Sequence, residues 1–155
     1  IKVNKKEIGS DRLANAISVM SKKKNFIVVD FGTATTFDVI KKNNYLGGVI
    51  APGVNLSLDN LIKKASLIPN IKLNKSKSII GKNTKQAVLS GFFWGYNGLI
   101  NGIISKIKKK TNQKYKIVFT GGLAHLFNKD IKDKVTIDKN LTINGLIKVS
   151  KHFNL

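Results

Sequence analysis

Cysteine is absent from the 155-residue chain, and proline, histidine, tryptophan and methionine are scarce, with two, two, one and one copies. Without cysteine there can be no disulfide and no thiolate metal site. The two histidines, His125 and His152, stand apart and make no ligand cluster. No apolar run reaches the length needed to cross a bilayer, and no signal-peptide pattern opens the chain. A soluble cytoplasmic protein is the expectation, without a membrane partner. Acidic residues are also few. Eight Asp and Glu face 28 Lys and Arg, for a formal net charge of +20.

That charge raises the question of nucleic acid, but its composition argues against it. Arg12 is the single arginine and every other basic residue is Lys. Surfaces that read bases or clamp phosphates favour the planar arginine fork. The lysines are scattered in short groups such as 22–24 and 108–110, so they read as a solvated surface. A hydrophobic content of 42% is enough to bury a core, and the length suits one domain.

Ser10 reads as the cap of a first helix carrying Leu13, Ala16, Ile17 and Met20 on one side. Phe26–Val29 is a buried strand, 37–40 a second and 45–50 a third, with 41–44 as the hairpin turn. After Pro52-Gly53 a helix is expected over 54–68, with Leu56, Leu61, Ile62 and Ala65 inward. Asn83-Thr84 can cap a long helix to about Lys109. A strand over 116–120, a helix over 123–127, a strand over 135–137 and a helix over 141–153 complete the chain. A three-strand meander followed by alternating helices and strands is the layout of a ribonuclease H-like half-domain. The fold class expected is α/β, a mixed sheet flanked by helices.

Four short stretches carry chemistry. In Asp30-Phe31-Gly32-Thr33-Ala34-Thr35-Thr36 a carboxylate ends a buried strand, and a glycine turn and three hydroxyls follow. Such a turn can aim N–H and Oγ groups at phosphate oxygens, while the Asp holds a neutralising cation. An ordinary hairpin rich in strand-favouring Thr is the competing reading. In Thr120-Gly121-Gly122-Leu123 a glycine pair between strand and helix lets a flat ligand lie on the backbone, or is a plain turn. In Gly9-Ser10-Asp11-Arg12, Asp11 could serve as general base and Arg12 as anion ligand. Taken alone, the tetrapeptide reads more simply as a helix-dipole complement beside a surface charge. Thr84 either offers a hydroxyl to a ligand or caps its helix. Within that helix Gly91, Gly95, Gly98 and Gly102 share one face, which suggests close backbone contact, with Phe92, Phe93, Trp94 and Tyr96 as core or interface.

Together, GSDRLANA, VVDFGTATTFDVI, YLGGVIAPGV, IGKNT, SGFFWGYNGLI and VFTGGLA resemble type III pantothenate kinase, a branch of the actin/sugar-kinase/Hsp70 superfamily. The resemblance runs from residue 7 to about 127. It implies ATP-dependent phosphorylation of pantothenate, the first step of coenzyme A biosynthesis, with Mg²⁺ and a monovalent cation, K⁺ or NH₄⁺. It implies Asp11 as the base and Gly9, Ser10, Asp11, Arg12 and Thr84 around pantothenate. It further implies Thr33, with Gly32, at the ATP phosphates, Gly121 and Gly122 near the adenosine, and Asp30 as cation ligand. The family is typically a homodimer with its substrate site near the subunit interface.

The resemblance divides the chain into an inter-domain helix segment, residues 1–24, and a C-terminal nucleotide-binding domain, residues 25–155. The family's Asp-rich first phosphate loop has no counterpart from Ile1 onward, so the chain is expected to be inactive or very weak alone. A transcriptional accessory factor of the same family, another superfamily phosphotransferase such as a sugar kinase, and a basic nucleic-acid binder are the alternatives. Intact Asp11, Asp30 and Thr33 favour the kinase.

Overall fold

A computed structural model describes residues 7–153, and the first six residues of the 1–24 segment lie outside the described residues. Its elements follow the expected order: α1 (Ser10–Val19), β1 (Asn25–Phe31), β2 (Ala34–Lys41), β3 (Asn44–Pro52), α2 (Val54–Lys64), α3 (Thr84–Thr111), β4 (Lys116–Gly121), α4 (Ala124–Phe127), β5 (Val135–Ile137) and α5 (Leu141–Phe153). The five strands form one sheet in the order β3-β2-β1-β4-β5. The meander β1-β2-β3 is antiparallel, whereas β4 and β5 join β1 in parallel. Parallel pairing needs a crossover, and α3 supplies it between β3 and β4.

Both faces of the sheet are covered, which is why the strands read as apolar runs with little alternation. On one face Ile27, Val29, Phe31, Phe37, Ile117 and Phe119 pack against Phe93, Ile100 and Ile104 of α3, Val54 of α2 and Phe127 of α4. On the other, Val28, Ile40 and Val118 meet Ala16 of α1 and Leu141 of α5. A Cβ at Gly145 of α5 would lie 1.9 Å from the Ala14 carbonyl oxygen, so glycine there lets the two helices touch.

Several local expectations are corrected. Gly9, not Ser10, is the N-cap of α1, and Ser10 is its first residue. Helix α2 stops at Lys64 and buries Val54 and Leu58, leaving Leu56 and Leu61 exposed. The cause is its start: a Cβ at Gly53 would come within 2.0 Å of the Thr33 carbonyl oxygen, and this tight abutment fixes the phase of the helix. Nothing in the chain lies within 4 Å of a Cβ placed at Gly91, Gly95, Gly98 or Gly102, so the glycine face of α3 makes no close backbone contact among the described residues. Phe93 is core, whereas Phe92, Trp94 and Tyr96 are partly buried beside it.

Sheet register sets the site. Asp30 pairs with Thr36 on β2 and with Thr120 on β4, at the ends of both strands. A bulge in β3 breaks the pairing between Val39/Gly47 and Ile40/Tyr45. Its extra residue puts Tyr45 and Gly48 opposite Ile40 and Asp38, on the same α1 face.

Candidate active site

The expected residues form two groups that adjoin at Asp30, near the end of β1. The first is a cleft of about 450 Å³ lined by Phe31, Gly32, Thr33, Asn55, Leu56, Asp59, Gly122 and Leu123. Gly32 turns the chain with its N–H on the Ala34 carbonyl, 3.1 Å away. Gly121 has φ +85°, and a Cβ there would lie 2.6 Å from the Phe31 carbonyl oxygen and 2.7 Å from Asp30 Oδ1. Glycine leaves that space open. Of the three hydroxyls expected at the phosphate turn, only Thr33 reaches the cleft. Thr35 and Thr36 are buried in β2, and neither Oγ1 has a hydrogen-bond partner among the described residues.

The second group gathers under α1. Asp11 and Arg12 follow the Gly9 cap, and Asn15 sits one turn on. A Cβ at Gly9 would be 2.6 Å from Asp11 Oδ1, so glycine lets the carboxylate fold back over the cap. Asp11 itself is exposed. Arg12 donates from Nε to Asp38 Oδ1 at 2.9 Å and from Nη2 to the Tyr45 hydroxyl at 2.9 Å. Arg12 Nη2 also lies 2.7 Å from Asp38 Oδ1. Tyr45 in turn donates to Asp38 Oδ1 at 2.6 Å. Asn15 donates to Asp30 Oδ2 at 2.8 Å and accepts from Thr142 of α5 at 2.7 Å.

Burial pushes the Asp30 carboxyl above its ordinary value; the Asn15 bond opposes this, and the charges of Asp11 and Asp38 add to it. Burial also raises Asp38, only partly offset by Tyr45 and Arg12. For Arg12, burial acts to lower the guanidinium, but the hydrogen bond and charge of Asp38 outweigh it and the net direction is up. Tyr45 is raised by burial and by Asp38, so it stays a neutral phenol. Three carboxylates and one guanidinium thus share one field, in which burial favours the neutral forms of Asp30 and Asp38.

Thr84 joins neither group. It is exposed at the first position of α3, one residue after Asn83, whose side chain accepts from the Gln86 N–H and is the actual cap. The residues that sequence reasoning missed are Asn15, Asp38, Tyr45 and Thr142. Asp38, the one acid of β2, is completely buried.

The sequence model of type III pantothenate kinase matches residues 1–106, which holds all of the α1 group except Thr142. The chain belongs to the type III pantothenate kinase family. The type III pantothenate kinase of Pelagibacter ubique (strain HTCC1062) is 61% identical over 150 residues, covering 97% of this chain and 60% of that protein. That of Paramagnetospirillum magneticum is 43% identical over 147 residues, covering 94% and 56%. The chain therefore spans well under two thirds of these kinases. Among solved structures, a Campylobacter jejuni protein assigned to the Baf family of transcriptional activators superposes with a TM-score of 0.73 at 25% identity, covering 100% of this chain and 70% of that one. A Sinorhizobium meliloti protein assigned as a 2-dehydro-3-deoxygalactonokinase superposes with a TM-score of 0.61 at 12% identity, over 92% of this chain and 58% of that one, and shows the shared fold. The mixed sheet with helices on both faces is the fold that this chain shares with these solved structures. Among the described residues, no helix is long and apolar enough to cross a membrane.

Proposed function

We propose that this chain is the catalytic and nucleotide-binding portion of an ATP-dependent pantothenate kinase that forms 4'-phosphopantothenate. Residues 25–155 form the nucleotide-binding unit, and 1–24 the segment that joins it to the rest of the site. The observation that carries the reading is Asp30, which accepts from Asn15 of the α1 group through Oδ2 and borders the Gly32 and Gly121 turns of the cleft through Oδ1. Phosphoryl transfer asks for positioning and charge neutralisation more than for covalent chemistry, and these residues can supply both.

Asp11 accepts the proton of the acceptor hydroxyl as its oxygen attacks the γ-phosphorus. The bond to the β,γ-bridging oxygen breaks, and ADP leaves. Arg12 holds the acceptor's carboxylate or the transferring phosphoryl group. The Gly32-Thr33 turn receives the ATP phosphates, and the open space beside Gly122 receives the adenosine. Asp30 Oδ1 and the Phe31 carbonyl share the space that Gly121 leaves free, an oxygen set suited to K⁺ or NH₄⁺. The described residues contain no group of three His, Cys, Asp or Glu that could hold a metal ion, so Mg²⁺ would be held chiefly by the phosphates. Bound cations would offset phosphate charge. Thr84, exposed and apart, fits a pantothenate contact if two copies associate with the α3 start of one near the α1 group of the other. The compartment proposed is the cytoplasm.

The test joins the chain to the portion of the Pelagibacter ubique kinase that it does not span, and measures ATP-dependent phosphorylation of pantothenate with and without K⁺. Asp11→Asn is expected to lower kcat by about 10²–10⁴-fold, with nucleotide affinity kept. The unjoined chain is expected to show little or no turnover. No turnover by the joined protein would sink the kinase reading and favour a regulatory role like the one named for the Campylobacter jejuni protein. An Asp11→Asn variant as fast as the parent would remove Asp11 as base.

A further inference from the structure

We propose that Asp38 and Tyr45 are positioning residues that fix the Arg12 guanidinium, so that its Nη1 edge faces an anionic group of the reacting substrates. The inference rests on the kinase reading for the identity of those substrates, and on this chain's own geometry for the rest. Arg12 is the single arginine of a lysine-dominated chain. Its Nε and Nη2 are committed to Asp38 Oδ1 and the Tyr45 hydroxyl at 2.9 Å each. Among the described residues no partner takes Nη1. A guanidinium held along one edge presents the other as a preformed pair of donors, which a lysine in the same place could not do.

The fold goes to some length to make this arrangement. Asp38 is fully buried, although β2 could have carried an apolar residue there, as at Ile40. Its Oδ2 has no hydrogen-bond partner among the described residues, so the carboxylate is not there to satisfy the core. The β3 bulge places Gly48 opposite Asp38 and keeps Tyr45 on the same face. A Cβ at Gly48 would lie 2.2 Å from the Phe37 carbonyl oxygen and 2.6 Å from Arg12 Nη2, so glycine there makes room for the neighbouring strand and for the guanidinium alike. A bulge, a glycine, a buried acid and a half-buried phenol thus converge on one side chain. Replacing the pair with apolar residues would be the simpler way to stabilise the sheet. The arrangement is better explained by what Arg12 does at its free edge.

Two measurements test it. In this chain, the single arginine gives one side-chain Nε–H resonance, free of overlap. Slow solvent exchange of that proton is expected, with acceleration in Asp38→Asn and in Tyr45→Phe. Rapid exchange in the parent chain would overturn the positioning itself, whatever the activity. In the joined protein, Asp38→Asn is expected to cut kcat/KM for pantothenate about 10-fold or more and Tyr45→Phe about 3-fold, with KM for ATP unchanged. Arg12→Lys should lose at least as much as Asp38→Asn. A loss concentrated in KM for pantothenate identifies the acceptor carboxylate as the anion; one concentrated in kcat identifies the transferring phosphoryl group. Variants that melt earlier but keep every kinetic constant would reduce Asp38 and Tyr45 to structural residues and overturn the proposal, with the kinase reading intact. Tyr45→Phe keeps the ring and guards against an Asp38→Asn chain that fails to fold. An inactive joined parent would instead sink the kinase reading, and the exchange measurement would still decide the positioning.

Discussion

The two faces of the sheet are built from opposite materials. The α3 face holds Ile27, Val29, Phe31, Phe37, Phe93, Phe119 and Phe127, with Phe31 and Phe127 stacked at 5.4 Å and Phe31 and Phe119 edge-on at 5.1 Å. The α1 face has a smaller apolar cluster and, beside it, Asp30, Asp38, Asn15 and Arg12. One face stabilises the fold. The other holds charge in a half-dry place, which is costly unless each group has a partner or a ligand. The difference separates residues whose loss unfolds the chain from residues whose loss disarms it.

The largest effect should come from the first face. Phe119→Ala removes a fully buried ring from the centre of the sheet and is expected to cost about 3–5 kcal/mol in urea unfolding. Among molecules still folded, the Arg12 resonance should be unchanged. A shifted Arg12 signal would mean that the two faces are mechanically coupled, and the division would fail.

Asn15→Ala is the matching cut on the second face. It removes the donor to Asp30 and the acceptor for Thr142 together. A loss of about 1–3 kcal/mol follows from the unpaired buried groups. The specific expectation is a weaker response of thermal stability to added K⁺, because Asp30 is no longer oriented. An Asn15→Ala chain that loses stability but keeps its K⁺ response would detach Asn15 from the cation site.

Much of the fold was legible in the sequence because its signals are local. The β1–β3 meander, the Gly32-Thr33 turn and the long α3 are each written in a short stretch of chain. The phase of α2 was not, since it depends on how Gly53 abuts Thr33 across the turn. The site was legible in half. Asp11, Arg12, Asp30 and Thr33 sit in compact motifs, whereas their partners are distant in sequence. Arg12 and Asp38 are 26 residues apart, and Asn15 and Thr142 are 127 apart. Asp38 was hidden by its setting, because a strand buried on both faces reads as a plain apolar run. The three Thr of the phosphate turn misled for a related reason. Strand alternation sends Thr35 and Thr36 to opposite faces and leaves only Thr33 at the cleft.

The smallest effect is a slope. Burial holds the Asp38 carboxyl above its ordinary value despite Tyr45 and Arg12. The folded chain therefore binds that proton more tightly than the unfolded chain does. As pH falls from above the folded value toward the ordinary carboxylate range, about pH 4, the folded state takes up a proton that the unfolded state does not, and stability rises. Below that range both states are protonated and the gain levels off. Other carboxyls titrate in the same window, so the quantity to follow is the melting temperature of the parent minus that of Asp38→Asn. That difference should grow as the solution is acidified from neutral. Phe119→Ala, whose change lies on the face without a buried carboxyl, should keep the parent's slope. A difference that shrinks on acidification would mean that Arg12 stabilises the Asp38 carboxylate by more than burial costs it. The charged face would then contribute to stability as the aromatic one does.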